Sequence, residues 1–194
     1  MNHTQTKPLS GSKVALLIAG GFCEQDITAT QRILLNAGAQ ITIVSPDQGL
    51  VNGWDGKGWG HHYMVDAPLS TALGADFDML LLPGGTRSMD RLKTTAHTNR
   101  FISSFIGAGK PIAVMGDALH LLVITDNVKT RTVTGPAAMQ DVVTQAGGLW
   151  NDASLCLDGS LLTGNVETEE NRENLANAML ELFTANAAQM DQAA

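Results

Sequence analysis

The segment Asp76-Phe-Asp-Met-Leu-Leu-Leu-Pro-Gly-Gly85 contains a short apolar run that is closed at once by Pro-Gly-Gly. A continuous apolar run of this length between polar flanks is typical of a strand buried on both faces, as in a parallel sheet. Similar runs occur at residues 13–19, 40–45 and 112–115. Segments with helical spacing alternate with them, for example at 26–36, 101–106, 137–145 and 168–183. This alternation predicts an α/β fold in which an open, mostly parallel sheet is covered by helices on both faces.

Two segments depart from that alternation. Residues 50–66 contain four glycines, Trp54, Trp59 and the pair His61-His62, which predicts a hairpin with a glycine-rich tip. Asp158-Gly159 lies between two short apolar runs and predicts a second hairpin.

Thr168 is the predicted N-cap of the closing helix.

Composition and charge restrict the possible classes of protein. The chain has 194 residues, which predicts one domain over 13–184 between a flexible arm at 1–12 and a frayed tail at 185–194. A net charge of -7 argues against nucleic-acid binding. The chain contains no apolar run long enough for a transmembrane span and no apolar secretion signal at its start. The chain has only two cysteines, too few for the disulfide framework of a secreted protein. We therefore expect a cytoplasmic protein.

The predicted fold also indicates where chemistry should occur. In open α/β sheets, ligands bind beyond the carboxyl ends of the strands. That rule selects the segments 20–26, 84–90, 116–120 and 135–136.

These segments resemble, in order, those of the DJ-1/PfpI (ThiJ) family, within the class I glutamine amidotransferase-like superfamily. The resemblance runs from about residue 13 to 183. It is carried by 14–22, 76–85, Ala108-Gly-Lys-Pro-Ile-Ala113, 133–135, Gln145-Ala-Gly-Gly-Leu-Trp150 and 158–163. It implies a flavodoxin-like three-layer sandwich with a mostly parallel sheet flanked by helices, and a homodimer.

The resemblance also implies a nucleophilic cysteine on a tight turn between strand and helix, the nucleophile elbow. That cysteine is often followed by a histidine and is contacted by a glutamate from the loop after the first strand. This sequence has Gly116 and Asp117 at the elbow, and Cys23 with Glu24 beside it at the glutamate position. The elbow Lys110-Pro-Ile-Ala-Val-Met-Gly-Asp-Ala118 is similar instead to the C-terminal domain of large-subunit catalases, where this fold has no established catalytic site.

Several side chains near the elbow have two interpretations each. Cys23 could be a relocated nucleophile or a small residue lining a pocket, and the acidic residues Glu24, Asp26 and Asp117 are expected to raise its pKa. His120 could partner Asp117 or Glu24, or it could simply pack within its helix. These four residues are the catalytic candidates, none of them supported by a complete motif.

The adjacent pair His61-His62 is not predicted to bind a metal, because neighbouring residues of a strand point to opposite faces. No cofactor is predicted. The two tryptophans could cap the pocket or lie in a dimer interface, and Asp90 matches an acidic position at the dimer contact of some family members.

These observations favour a DJ-1/PfpI-like pseudoenzyme that binds a small molecule or a partner, with a stress-associated role as one form of that function. The predicted ligand pocket consists of Gly21, Cys23, Gly84, Gly85, Gly116 and Asp117. The alternative is a hydrolase, lyase or glyoxalase-type enzyme that uses Cys23 or acid–base residues of the pocket. A structural or chaperone-like subunit is the third possibility.

Overall fold

The computed structural model describes residues 7–193, which form alternating strands and helices. The strands are β1 (Lys13–Leu17), β2 (Phe22–Cys23), β3 (Gln40–Ser45), β4 (Leu50–Trp54), β5 (Trp59–Met64), β6 (Ala67–Pro68), β7 (Met79–Leu82), β8 (Ile112–Met115), β9 (Thr132–Val133), β10 (Leu149–Trp150), β11 (Leu155–Asp158) and β12 (Leu161–Gly164). The α-helices are α1 (Glu24–Asn36), α2 (Thr86–Leu92), α3 (Ala96–Gly107), α4 (Leu119–Ile124), α5 (Gln140–Gln145) and α6 (Glu169–Ala193).

The central sheet has the strand order β11-β12-β8-β7-β1-β3-β6. Its neighbouring strands are parallel except for the antiparallel pair β11 and β12, which the turn at Asp158-Gly159 joins as predicted. β7 and β8 are buried along their whole length, as their apolar sequences indicate. This confirms the predicted α/β fold with a mostly parallel sheet.

Successive residues of the central strands enter different cores, as the pleat of a strand requires. Leu80 and Leu82 of β7 pack in the core that contains Phe101 of α3. Met79 and Leu81 pack on the opposite face, in the core that includes residues of α1 and α6. The sheet therefore lies between two helical layers.

The glycine-rich segment forms the predicted hairpin. β4 and β5 pair antiparallel, with Leu50 opposite Met64, and β2 adds to the other edge of β4. Two of its glycines, Gly53 and Gly60, lie within the strands and not at the tip. The hairpin stands beside the point where β1 leads into α1, so it can form a wall of any site at that edge.

The two ends of the domain differ from the predicted boundaries. Residues 1–6 of the predicted arm lie outside the described residues, but within residues 7–12 Leu9 is fully buried and its N–H donates to the carbonyl of Ala37. At the other end, α6 continues to Ala193, where the sequence predicts a frayed tail. Residues 185–193 contain no glycine or proline, so nothing in them stops the helix, and Ala187 packs against the core. In residues 7–193, no helix has both the length and the apolar character that crossing a bilayer requires.

Candidate functional site

A cavity of about 400 Å³ opens at the carboxyl edge of the sheet, between the elbow, the start of α1, the hairpin and the start of α6. Its lining residues are Gly21, Cys23, Gln25, Asp26, Trp54, Asp55, Gly56, Gly85, Thr86, Arg87, Gly116, Asp117, Pro136, Val166, Glu167 and Arg172. Five of the six predicted pocket residues are among them. The sixth, Gly84, does not line the cavity, but its N–H donates a hydrogen bond to the carboxylate of Asp26, which does.

The elbow has the left-handed backbone conformation expected of a tight turn between strand and helix, but the residue there, Gly116, carries no nucleophile. β8 ends at Met115, and Gly116 then adopts a φ of +55° before a single helical turn leads into α4. Residues other than glycine rarely adopt this left-handed conformation. A β-carbon at position 116 would lie 3.0 Å from Cγ2 of Val166. The cavity therefore contains a bare backbone at the position where the family resemblance implies a sulfur.

Asp117 accepts the hydrogen bonds offered by the neighbouring turn. The N–H of Gly85 donates to its Oδ1 at 2.7 Å, and the hydroxyl of Thr86 donates to its Oδ2 at 3.1 Å. Backbone donors in such a place could stabilise the negative oxygen that develops during acyl transfer. Here a resident carboxylate already takes them.

A second carboxylate, that of Asp26, takes the next donor. It is only 2% exposed, and its Oδ2 accepts from the N–H of Gly84 at 3.0 Å. Arg172, 146 residues later in the chain, approaches Oδ1 with its Nε at 3.4 Å. Burial raises the pKa of Asp26, while the hydrogen bond from Gly84 and the nearby Arg172 oppose that shift.

Cys23 lines the cavity beside Asp26. Burial, followed by the charge of Asp26, raises the pKa of the Cys23 thiol to about 11. A thiol with this pKa is almost entirely protonated at neutral pH and is a poor nucleophile. The acidic environment predicted for Cys23 is therefore present, but Asp26 supplies it and Glu24 does not.

Glu24 points away from the elbow cavity and lines a separate cavity of about 440 Å³ on the other side of α1. Its carboxylate accepts a short hydrogen bond from Nδ1 of His61, a bond from the His61 N–H at 3.0 Å and one from the Tyr63 hydroxyl at 3.3 Å. Burial acts to raise the pKa of Glu24, but the hydrogen bonds from His61 lower it below its ordinary value. Gly60 and Gly53 make room for this carboxylate, since a β-carbon at Gly60 would overlap it.

The three histidines singled out from the sequence, His61, His62 and His120, do not join the elbow site. His120 is half-buried on α4 and does not line the cavity. His61 is exposed and its ring pairs with Glu24. His62 is exposed as well and lies opposite Asn52 in the hairpin. In the described part of the chain, no three His, Cys, Asp or Glu side chains come together in a way that could hold a metal ion.

The tryptophans predicted to cap the pocket or to lie in a dimer interface stand beside the cavity, where Trp54 lines it and Trp59 lines the neighbouring cavity. The rings of Trp54 and Trp59 meet edge to face with centroids 5.5 Å apart. The guanidinium of Arg87, from α2, lies 4.0 Å from the centroid of Trp54 and 5.2 Å from that of Trp59. The tryptophan pair was a signal for a pocket wall, but nothing in the sequence linked it to Arg87 or linked Asp26 to Arg172.

Known proteins match both the sequence and the fold. The sequence model of the DJ-1/PfpI family matches residues 12–181. The chain is 25% identical over 157 residues to a deglycase of Pyrococcus horikoshii, covering 81% of this chain and 92% of the relative. It is 27% identical over 147 residues to protein/nucleic acid deglycase 2 of Escherichia coli, covering 76% and 83%.

Among solved structures, the fold matches a two-domain protein of Anabaena variabilis with DJ-1/ThiJ/PfpI-like and ferritin-like domains. The TM-score is 0.80 at 23% identity, over 88% of this chain and 47% of that one. This chain thus spans about half the length of that two-domain protein, but most of the length of the two curated relatives. With the family model matching most of its length, the chain belongs to the DJ-1/PfpI family.

Proposed function

We propose that this protein is a DJ-1/PfpI family member without the family's cysteine chemistry, and that it binds a small molecule in the elbow cavity. The observation that carries this proposal is the elbow itself. Gly116 offers no nucleophile, and the carboxylate of Asp117 occupies the donors of Gly85 and Thr86. Two features therefore support the proposal: the elbow lacks a nucleophile, and its hydrogen-bond donors are already occupied.

Either the missing nucleophile or the occupied donors alone would impair acyl transfer. Covalent catalysis needs an activated nucleophile next to the reacting carbon. Removing a single oxyanion donor typically costs about 10²–10³ in kcat. In this cavity, a substrate oxygen would also meet the negative charge of Asp117 where it needs positive donors. The names of the two deglycase relatives therefore do not extend to this chain, whose elbow residue is Gly116.

The competing interpretation, an enzyme that works through Cys23, has one supporting observation: the thiol lines the same cavity. Its pKa of about 11 opposes that role, because an activated thiol needs a lowered pKa. The candidate histidine, His120, does not line the cavity, and no other histidine of residues 7–193 lines it, so none of them is placed to act as a base. Binding without turnover is the function that this geometry supports best.

The cavity has the properties of a small-molecule site. Its volume falls within the range of ligand pockets, and its wall combines Trp54, Val166 and Pro136 with a few polar groups. Its hydrogen bonds to Asp117 and Asp26 hold the loops around it in place. A pocket that is held open in this way can bind a ligand without first rearranging.

We expect fluorinated fragments, both neutral and charged, to bind this cavity without being consumed. Ligand-observed fluorine NMR should detect broadening by the wild-type protein that is lost in Gln25→Trp, which fills the cavity from an exposed position on α1. Gln31→Trp on the same helix lies outside this cavity and is the matched control. Assays with peptide, amide and methylglyoxal substrates should show no turnover above buffer.

Two results would contradict this proposal. One is a screen in which no fragment distinguishes Gln25→Trp from Gln31→Trp. The other is turnover that survives purification and disappears in Cys23→Ala, which would favour the relocated thiol.

We also propose that the chain forms a homodimer through the hairpin or the region around Asp90. Leu50 and Met64 face each other across the hairpin, yet they are 55% and 69% exposed. Exposed apolar residues that lie together commonly mark an interaction surface. Light scattering should give twice the 20.5 kDa chain mass, and Leu50→Glu with Met64→Glu should shift it to the single-chain mass. A single-chain mass for the wild type across a wide concentration range would reject the dimer.

A further inference from the structure

We propose that the ligand of the elbow cavity carries a carboxylate and that the guanidinium of Arg87 binds it. This inference rests on the proposed binding function and adds to it the chemical class of the ligand. Two observations support it: Arg87 lies on the tryptophan rings at the cavity, and the other charged groups of the lining already have partners.

The side chain of Arg87 is held in place from two directions. Near its base, the loop at Gly21 passes so close that a β-carbon on Gly21 would lie 2.6 Å from the Cβ of Arg87. At its end, the guanidinium lies against the paired rings of Trp54 and Trp59. A guanidinium stacked on an aromatic ring keeps its edge free for hydrogen bonds, and that edge matches the two oxygens of a carboxylate.

The lining has four carboxylates and two guanidiniums, and each of the carboxylates already accepts a hydrogen bond from within the chain. Asp117 holds the donors of Gly85 and Thr86. Asp55 accepts from the N–H groups of Lys57 and Gly58 at the hairpin tip.

The other cation of the lining is paired as well. Arg172 contacts the carboxylates of Asp26 and Glu169, each at 3.4 Å. The remaining carboxylate of the lining, that of Glu167, accepts a hydrogen bond from the side-chain amide of Asn165 at 3.2 Å.

Arg87 differs from all of these groups. Among residues 7–193, no carboxylate or carbonyl accepts a hydrogen bond from its guanidinium, and no ion pair includes it. Its guanidinium lies on the two tryptophan rings, and its exposed side chain also lines a neighbouring cavity with Asp47 and Asp90. Those two carboxylates are already paired, with Arg91 and Lys93 respectively. Arg87 is therefore the charged group of the cavity that is available to a ligand.

The same arrangement disfavours a cationic ligand on the tryptophan rings. A cation in an aromatic pocket binds over the face of a ring. The face of Trp54 is already covered by Arg87, whose positive charge would repel a second cation. A neutral ligand would match only the hydrogen-bonding geometry of the guanidinium, whereas a carboxylate matches its charge and its geometry together.

Matched pairs of acids and amides test this inference directly. The probes are benzoate, nicotinate and phenylacetate, each compared with its carboxamide. In a Trp150→Phe background, the remaining tryptophans are Trp54 and Trp59, so their fluorescence reports binding next to Arg87. We expect at least one acid to bind about tenfold more tightly than its amide, because a charge-assisted pair is stronger than a neutral one.

Variants then assign that preference to one side chain. Arg87→Gln should abolish the preference for the acid and weaken acid binding about tenfold. Arg32→Gln, which removes the same charge from the exposed face of α1 outside the cavity, should leave the acid's affinity unchanged. Circular dichroism checks that both variants are folded.

The outcomes separate this inference from the proposed function. If fragments bind the cavity but the amides bind as tightly as the acids, or if the acids do not bind, the carboxylate assignment is wrong and the binding function stands. An acid preference that survives in Arg87→Gln also overturns the assignment. If no fragment binds the cavity at all, the proposed function fails first.

Discussion

At pH 8.5, Cys23 is expected to react with iodoacetamide about two orders of magnitude more slowly than free cysteine. Free cysteine has a pKa of about 8.5 and is half thiolate at that pH. Burial and the charge of Asp26 raise the pKa of Cys23 to about 11, so only a fraction of a per cent is thiolate. Because only the thiolate reacts, the rate should rise about tenfold per pH unit up to pH 10 without levelling off.

The measurement uses a Cys156→Ser background, in which Cys23 is the remaining cysteine. The same chain unfolded in urea is the control, and its alkylation should level off near pH 8.5. Asp26→Asn removes the second largest cause of the raised pKa, so it should accelerate the reaction at pH 8.5. Arg172→Gln removes a cation that lowers the pKa of this thiol, so it should slow the reaction.

A rate that levels off below pH 9 would contradict this prediction. It would mean that the cavity lowers the pKa of the thiol, as a catalytic site does. The relocated-nucleophile interpretation of Cys23 would then be preferred over binding alone.

The parts of the fold that were predicted correctly depend on local sequence. β7 and β8 are apolar runs buried from end to end, and the Asp158-Gly159 turn closes the hairpin of β11 and β12. The hydroxyl of Thr168 accepts the N–H of Asn171, as an N-cap does. In each case the physical cause lies within a few residues of its effect.

The parts of the site that were missed depend on contacts between distant residues. Cys23 and Glu24 are adjacent, yet one lines the elbow cavity and the other turns towards His61, 37 residues away. No sequence pattern predicts which of two neighbours at a helix start will face inward. The pairing of Asp26 with Arg172 also depends on how α6 packs against α1.

Asp117 illustrates the same limit at the elbow. The sequence indicates that an acidic residue there would repel an anion. It does not indicate that this carboxylate would accept from Gly85 and Thr86 and so take the place of the anion. That distinction matters for the proposed function, in which a carboxylate that holds these donors would oppose acyl transfer and also fix the cavity wall.

Restoring the family's residue, Gly116→Cys, is expected to produce a thiol that is mostly protonated at neutral pH. Asp117 is the next residue and Asp26 lies in the same lining, so the nearest charged neighbour along the chain is a carboxylate and a second carboxylate lines the same cavity. Like charges disfavour the thiolate, which keeps the thiol pKa at or above about 8.5. At pH 7 no more than about 3% of it would then be reactive.

The substitution should also reduce the free energy of unfolding by about 1 kcal/mol or more. Gly116 has a φ of +55°, a conformation that costs a residue with a β-carbon about that much. The added carbon would also meet Cγ2 of Val166 at 3.0 Å, so this side chain must move slightly. Urea unfolding of the variant and the parent measures the loss.

Alkylation against pH, in a Cys23→Ser, Cys156→Ser background, measures the reactivity of the new thiol. Adding Asp117→Asn should move the midpoint of that curve downward, because the amide removes the adjacent charge but still has an oxygen to accept from Gly85. Neither variant should hydrolyse peptide or amide substrates, since no histidine within the described part of the chain lines the cavity to act as a base. A midpoint well below 7 for Gly116→Cys alone would show that the cavity stabilises an anion despite Asp117, and catalysis would then have been lost with the single sulfur.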